Sequence, residues 1–517
     1  MKRLFPLFLL VHTLSVFAQT KPLPQLKNQN GHFTFLVDGK PFLMLGGQVH
    51  NSSAWPAAMP SVWAQAEQLG VNTLEVPIYW EAVEPQPGTY DFSTVNYLLT
   101  EARKRSLRLV LLWFASWKNG EMSYTPEWVK TAPQTYPRVI NAHGERMFHL
   151  SPVAAANWQA DARAFAALMR HLKQVDERDR TVIMVQVENE AGLHSADRDY
   201  SPEANRMFNS PVPDALLKRL SKPAGTWVQV FGPDAPELFS AWTVASYLNR
   251  VAEAGRREYA LPLTANAWLR EYGFRQPGSY PTGGPTSNVL DVWKVAAPVL
   301  DILAPDIYQS SYPETHEIMR AYTRPDNPLL IPESGGAAMP RTLFYALADY
   351  GAIGFAPFGF DNATGTLAKE YAAVTPNYKL LRPAIPVLTQ MQQSGKLQAA
   401  VQEHGMTEKL IRFDGYDFLA QFTSPPGAEG PQGRVLLGEV NPDEFYLIGF
   451  NARFQVRPRS LPPSARLSKY EFILTVEEGT FDDAGAFRRT RLYNGDEIYF
   501  FELPATGSVL RVRLQRK

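Results

Sequence analysis

Eight short apolar runs with helical periodicity between them constrain this chain more than any other feature. The runs cover residues 41–49, 71–80, 107–117, 181–190, 261–268, 300–308, 328–333 and 352–361. Several are near-continuous Val, Ile and Leu, the pattern of strands covered on both faces. Amphipathic stretches at 61–69, 94–105, 154–174 and 235–259 read as helices. Strands alternating with helices give a parallel sheet, and a count of eight favours closure into a (β/α)8 barrel over roughly residues 30–390. An open doubly wound sheet would need a glycine-rich phosphate turn. The nearest match, Leu45-Gly46-Gly47-Gln48, lacks the spacing.

Beyond about residue 388 the pattern becomes short β-rich runs at 410–421, 434–437, 445–450, 470–476, 498–501 and 509–514, separated by turn clusters such as Ser424-Pro425-Pro426-Gly427. They predict an antiparallel β-sandwich over about 395–517, serving to brace the barrel.

Composition limits what this fold can serve. The 51 basic and 51 acidic side chains cancel, so there is no basic surplus to meet nucleic-acid phosphates. With no cysteine, disulfides, thiol nucleophiles and thiolate metal sites are excluded. His50, His143, His149 and His194 lack ligand spacing, and no metal is expected. Met1-Lys2-Arg3, an apolar run over 4–14 and Val16-Phe17-Ala18 read as a signal peptide of about 18 residues, with no membrane span. An exported protein, periplasmic or extracellular, is expected. Aromatic residues make up 12% of the chain and supply flat faces on which sugar rings can stack.

Barrels carry their chemistry at the carboxyl ends of their strands. The fourth run ends Val185-Gln186-Val187-Glu188-Asn189-Glu190, and the seventh ends Leu330-Ile331-Pro332-Glu333. A carboxylate closing a buried strand is costly unless it is paired or functional. Two of them across one barrel mouth form the pair that glycoside hydrolysis needs, one as proton donor and the other as nucleophile or base. Glu188, two residues before Glu190, is expected on the same inward face, paired with a basic barrel residue. Glu84, ahead of Pro85, is expected to brace a loop. Trp117, Trp268 and Phe358, at strand ends, could form a stacking floor.

The run 185–192 (VQVENEAG) and the segment 79–92 (YWEAVEPQPGTYDF) resemble two motifs of glycoside hydrolase family 35, the β-galactosidases of a large (β/α)8 clan. The likeness covers roughly residues 30–360. It implies Glu190 as acid/base, Glu333 as nucleophile, Asn189 as the holder of the hydroxyl beside the reacting carbon, and Tyr308 as a donor to the nucleophile. It implies a carbohydrate substrate and no cofactor. Because strict alternation would turn Asn189 and Glu190 to opposite faces, the fourth strand is expected to twist or break at its tip.

The chain also departs from the family. Asn119 fills the place of an acidic residue, and Pro77 that of a tyrosine for which Tyr79 is a substitute. The expectation is a retaining β-galactosidase acting on terminal galactosyl groups, such as plant cell-wall side chains of the xyloglucan type. A β-glucosidase, a β-mannosidase or a non-catalytic sugar-binding barrel stays open as an alternative.

Overall fold

The computed structural model describes residues 21–29, 31–270, 274–423, 427, 430–462, 471–482 and 485–515. The expected signal segment lies outside these residues, as do three residues of the 424–427 turn cluster.

All eight apolar runs become strands of one closed parallel barrel. In chain order they are β1 (Met44–Gln48), β2 (Thr73–Tyr79), β3 (Arg108–Lys118), β4 (Val182–Asn189), β5 (Leu263–Ala267), β6 (Ile302–Ile307), β7 (Leu330–Ser334) and β8 (Gly354–Pro357). Sequential strands are neighbours, and β8 closes onto β1 through Gly354↔Met44 and Phe355↔Leu45. Every residue of β2, β4, β5, β6 and β7 is buried, which is why these runs read as continuous rather than alternating. The two longest helices, Ala155–Asp176 and Ala235–Glu258, pack side by side behind β3 and β4. A hairpin, Arg138–Ile140 with Arg146–Leu150, is inserted between β3 and β4.

Ten further strands follow: β9 (Leu397–Val401), β10 (Glu408–Arg412), β11 (Tyr416–Phe422), β12 (Arg434–Asn441), β13 (Glu444–Phe450), β14 (Ala452–Pro458), β15 (Ile473–Phe481), β16 (Phe487–Tyr493), β17 (Phe501–Leu503) and β18 (Ser508–Leu514). They form a six-stranded sheet, β9-β12-β13-β18-β15-β16, and a four-stranded sheet, β10-β11-β14-β17. Alternation along β12 and β13 shows how the parts join. Val435, Leu437, Phe445 and Leu447 enter the core between the sheets. Their neighbours Leu436, Tyr446 and Ile448 enter the barrel's own core cluster. The six-stranded sheet is therefore apolar on both faces, one against its partner sheet and one against barrel helices such as Met339–Ala348.

Three details of this region differ from the sequence reading. The run at 410–421 is a hairpin, because Asp414-Gly415 makes a tight turn closed by Phe413 N–H donating to the Tyr416 carbonyl at 2.9 Å. The chain continues past 445–450 into β14, crossing to the other sheet at Asn451, which adopts a left-handed φ of 54°. Edge strand β16 (FRRTRLY) carries three arginines and no buried residue, and its polar middle, Arg488 to Arg491, breaks the apolar pattern set by Phe487, Leu492 and Tyr493. Charge on an edge also discourages pairing with another chain.

Candidate active site

At the carboxyl ends of the barrel strands lies a cavity of about 280 Å³, walled by Lys118, Asn119, Glu190, Asp306, Tyr308, Glu333 and six neighbours that include His50, Trp268 and Phe358. Each carboxylate reaches it by a distinct local device. Strand β4 breaks its alternation at the tip: Glu188 and Glu190 adopt left-handed φ angles of 63° and 46°. Such angles are costly for side chains other than glycine and are held only where surroundings fix them. Here Asn266 of β5 accepts the Glu190 N–H at 2.9 Å, and the Glu190 carbonyl accepts from Gly120 N–H at 3.1 Å. Gly192 follows at φ 149°, and a Cβ there would lie 2.4 Å from the Pro281 carbonyl oxygen. Only glycine lets the two segments close.

Glu333, on β7, accepts a hydrogen bond at each oxygen, from Tyr308 Oη at 2.5 Å and from Gln48 Nε2 at 3.0 Å. That suits a carboxylate, which is an acceptor at both oxygens. Gly335 makes room for the tyrosine, because a Cβ there would sit 2.7 Å from its ring. The Tyr308 hydroxyl is held far above the ordinary phenol range by burial and then by the Glu333 charge, so it remains a donor. Oxygens of Glu190, Asp306 and Glu333 lie within 4.8 Å of one another. The Glu190 carboxyl is raised to about 8, first by burial and then by the charge of Glu333, with Lys118 opposing. It is therefore protonated at neutral pH while a neighbouring carboxylate faces it. Three crowded carboxyls could attract a hard cation, but the Lys118 ammonium already brings positive charge to the same wall.

Of the residues singled out in the sequence, Glu190, Glu333, Asn119, Tyr308, Trp268 and Phe358 meet at this cavity. Asn119 stands at a left-handed φ of 55° with its side-chain oxygen accepting from Lys118 Nζ. Asn189 is fully buried beside Glu190 but does not line the cavity, and its amide atoms find no partner among the described residues.

Two proposed sugar contacts are core residues instead. Tyr79 is buried, stacked between Trp55 and Tyr124, with its hydroxyl donating to the Asn51 carbonyl at 2.7 Å. Trp117 is buried edge-on against Tyr247, and its backbone N–H donates to Glu188. Glu188 itself departs from expectation. Its tip geometry turns it outward, and its partner is no cation but the carboxyl of Asp161, on the helix behind, beside Ser116, Trp113 and Tyr247. Glu84 braces its loop, accepting from Trp80 Nε1 and Gly88 N–H, both at 2.8 Å. Gln48, Lys118 and Asp306 were not singled out. Gln48 and Asp306 lie in apolar strands near β1 and β6 ends, a placement that could have flagged them. Lys118 ends β3.

A closed eight-stranded barrel with carboxyls at the tips of its fourth and seventh strands brings together the opposed pair that glycoside hydrolysis requires. Residues 34–256, less than half of the chain, match the model of glycosyl hydrolases family 35. Residues 374–504 match a domain of unknown function (DUF5597). A β-galactosidase of Xanthomonas manihotis is 30% identical over 178 residues, covering 34% of this chain and 28% of that protein. "Beta-galactosidase 14" of Arabidopsis thaliana is 27% identical over 168 residues, covering 30% and 17%. The chain thus spans less than a third of the length of either relative. A solved β-galactosidase from Bacillus circulans sp. alkalophilus aligns over 91% of this chain and 99% of its own, with a TM-score of 0.50 at 11% identity, a likeness of fold alone. Glu333 lies beyond the family-matched segment, so its place in the site rests on geometry.

Proposed function

We propose that this protein is an exported retaining β-galactosidase that removes terminal β-D-galactosyl groups from oligo- or polysaccharides, including cell-wall side chains of the xyloglucan type. The observation that carries this reading is the pair Glu190 and Glu333, with oxygens within 4.8 Å across one cavity. Retaining glycosidases hold their carboxyls about 5–5.5 Å apart, whereas inverting ones leave about 6.5–9.5 Å for a water. Names of the family relatives support galactose as the sugar.

In this reading Glu333 attacks the anomeric carbon, its position fixed by Tyr308 and Gln48. Glu190, protonated at neutral pH, gives its proton to the departing oxygen. When Glu333 becomes an ester its charge disappears, the Glu190 carboxyl falls toward its ordinary range, and Glu190 can take a proton from the attacking water. Trp268 and Phe358 offer ring faces to the sugar. A panel of nitrophenyl glycosides, with the product anomer followed by NMR, tests the proposal. Galactoside turnover with retained configuration is expected. Preference for a glucoside or mannoside would replace the sugar, and an inverted product would remove the mechanism.

A further inference from the structure

Asp306 is the third carboxyl of the cavity, and the mechanism above gives it no task. It sits on β6 and is buried, with oxygens within 4.8 Å of those of both Glu190 and Glu333. One of its oxygens, Oδ2, accepts from Asn266 Nδ2 at 2.8 Å. The same Asn266 side chain holds the Glu190 backbone through its oxygen, so one amide fixes both acids. The other oxygen of Asp306, Oδ1, is buried with no donor among the described residues, and so is Oε2 of Glu190. Two acceptors left without donors in one cavity would be costly. Whenever Glu190 is ionised, as it must be to act as a base, a proton on Asp306 removes the conflict, because a carboxylic acid is a donor as well as an acceptor.

We propose that Asp306 is a positioning residue for the acid/base, donating a hydrogen bond from its carboxyl to Glu190 and so fixing which Glu190 oxygen faces the leaving group. The groups facing Asp306 agree. Glu190 on the β4 tip and Glu333 on β7 are acidic, and Tyr308 and Tyr322 are phenols. Lys118 on β3 is the one cation acting on it among the described residues, and no ion pair joins the two. Burial first, then the charges of Glu333 and Glu190, hold the Asp306 carboxyl well above the usual range. The donor matters most in the second half of the reaction, when Glu190 is a carboxylate and must accept a proton from water.

This inference rests on the glycosidase reading, and the test separates the two. If wild-type protein turns over no glycoside, the functional reading fails. With an active wild type, Asp306→Asn and Asp306→Ala are compared across pH. Asparagine keeps the shape, accepts from Asn266 and donates an N–H where the acid donated an O–H, so Asp306→Asn should stay within a few-fold of wild type. Asp306→Ala removes the donor and should lose about 10- to 100-fold in kcat/KM, the usual effect of a hydrogen bond to a charged group. Its alkaline limb should also move upward, since an ionised Glu190 without its donor is less stable. Asp306→Ser, with room for a water, replaces the alanine variant should that one fail to fold. Equal damage from Asp306→Asn and Asp306→Ala would overturn the inference, because charge rather than donation would then be what matters. An unmoved alkaline limb in the alanine or serine variant would overturn it as well.

Discussion

Two clusters of buried carboxyls lie on either side of the β4 tip, and they differ in one respect that decides their chemistry. On the cavity side are Glu190, Asp306 and Glu333. On the helix side are Glu188 and Asp161, sealed between β3, β4 and the two longest helices. In both clusters burial is the main cause that raises a carboxyl, for Glu188 as for Glu190. Yet around Asp161 the donors Trp113 Nε1, Ser116 Oγ and Tyr247 Oη occupy both carboxyl oxygens, and neither it nor Glu188 lines the cavity. Among the described residues the Glu190 Oε2 and Asp306 Oδ1 atoms in the cavity have no protein donor, and neither has Glu188 Oε1 on the sealed side, so access to a ligand-sized space is what separates the clusters. A raised carboxyl is thus not by itself a sign of catalysis. An acid that is raised, unsatisfied and open to a ligand-sized space is.

The comparison can be broken most severely at Glu333. Its replacement by alanine should abolish turnover of every glycoside, because no glycosyl-enzyme can form. Azide should restore part of the activity with inverted product, entering the space the side chain leaves. Glu190→Ala should lose about 10²- to 10⁴-fold on substrates with poor leaving groups and far less on nitrophenyl glycosides, with azide rescue that retains configuration. Steady-state kinetics with NMR of the azide adducts reads both. On the sealed side, Asp161→Ala should act on stability instead. It strands three buried donors, so a loss of about 3 kcal/mol in urea unfolding is expected, with kcat little changed in the folded fraction. A kcat loss as large as that of Glu190→Ala would erase the distinction between the clusters.

The smallest effect is a pH trend in stability. The unfolded Glu190 carboxyl titrates near the ordinary value of 4.5, while the folded one holds its proton to about 8. Its contribution is fully present below the unfolded value and is lost as pH rises through the folded one. Glu190→Gln, always neutral, should therefore gain in melting temperature relative to wild type between pH 5 and pH 8. A difference that stays flat with pH would mean that Glu190 is not held protonated.

Much of the barrel was legible because strands buried on both faces carry their signal in unbroken apolar runs, and the strand-end rule then points to Glu190 and Glu333. Tyr79 and Trp117 mislead for the same reason. Aromatic residues at strand ends look alike whether they face the mouth or the helix layer, and only packing against Tyr124 or Tyr247 separates them. Glu188 was misread because period-two reasoning assumes regular backbone, whereas two left-handed residues reset the faces at the tip of β4. In the C-terminal sandwich, β16 is invisible because four consecutive polar residues, Arg488 to Arg491, interrupt its apolar ends. The doubly apolar β12 and β13 could have announced that their sheet is covered by the barrel as well as by its partner.

The most direct test of the central claim is to trap the covalent intermediate. A 2-deoxy-2-fluoro glycoside of the sugar that the wild type hydrolyses, with an activated leaving group, should inactivate the enzyme while forming one glycosyl ester. Proteolysis and mass spectrometry should place that ester on Glu333, and Glu333→Ala should take up no label. A label on Glu190 would contradict the account, as would an active enzyme that is never labelled.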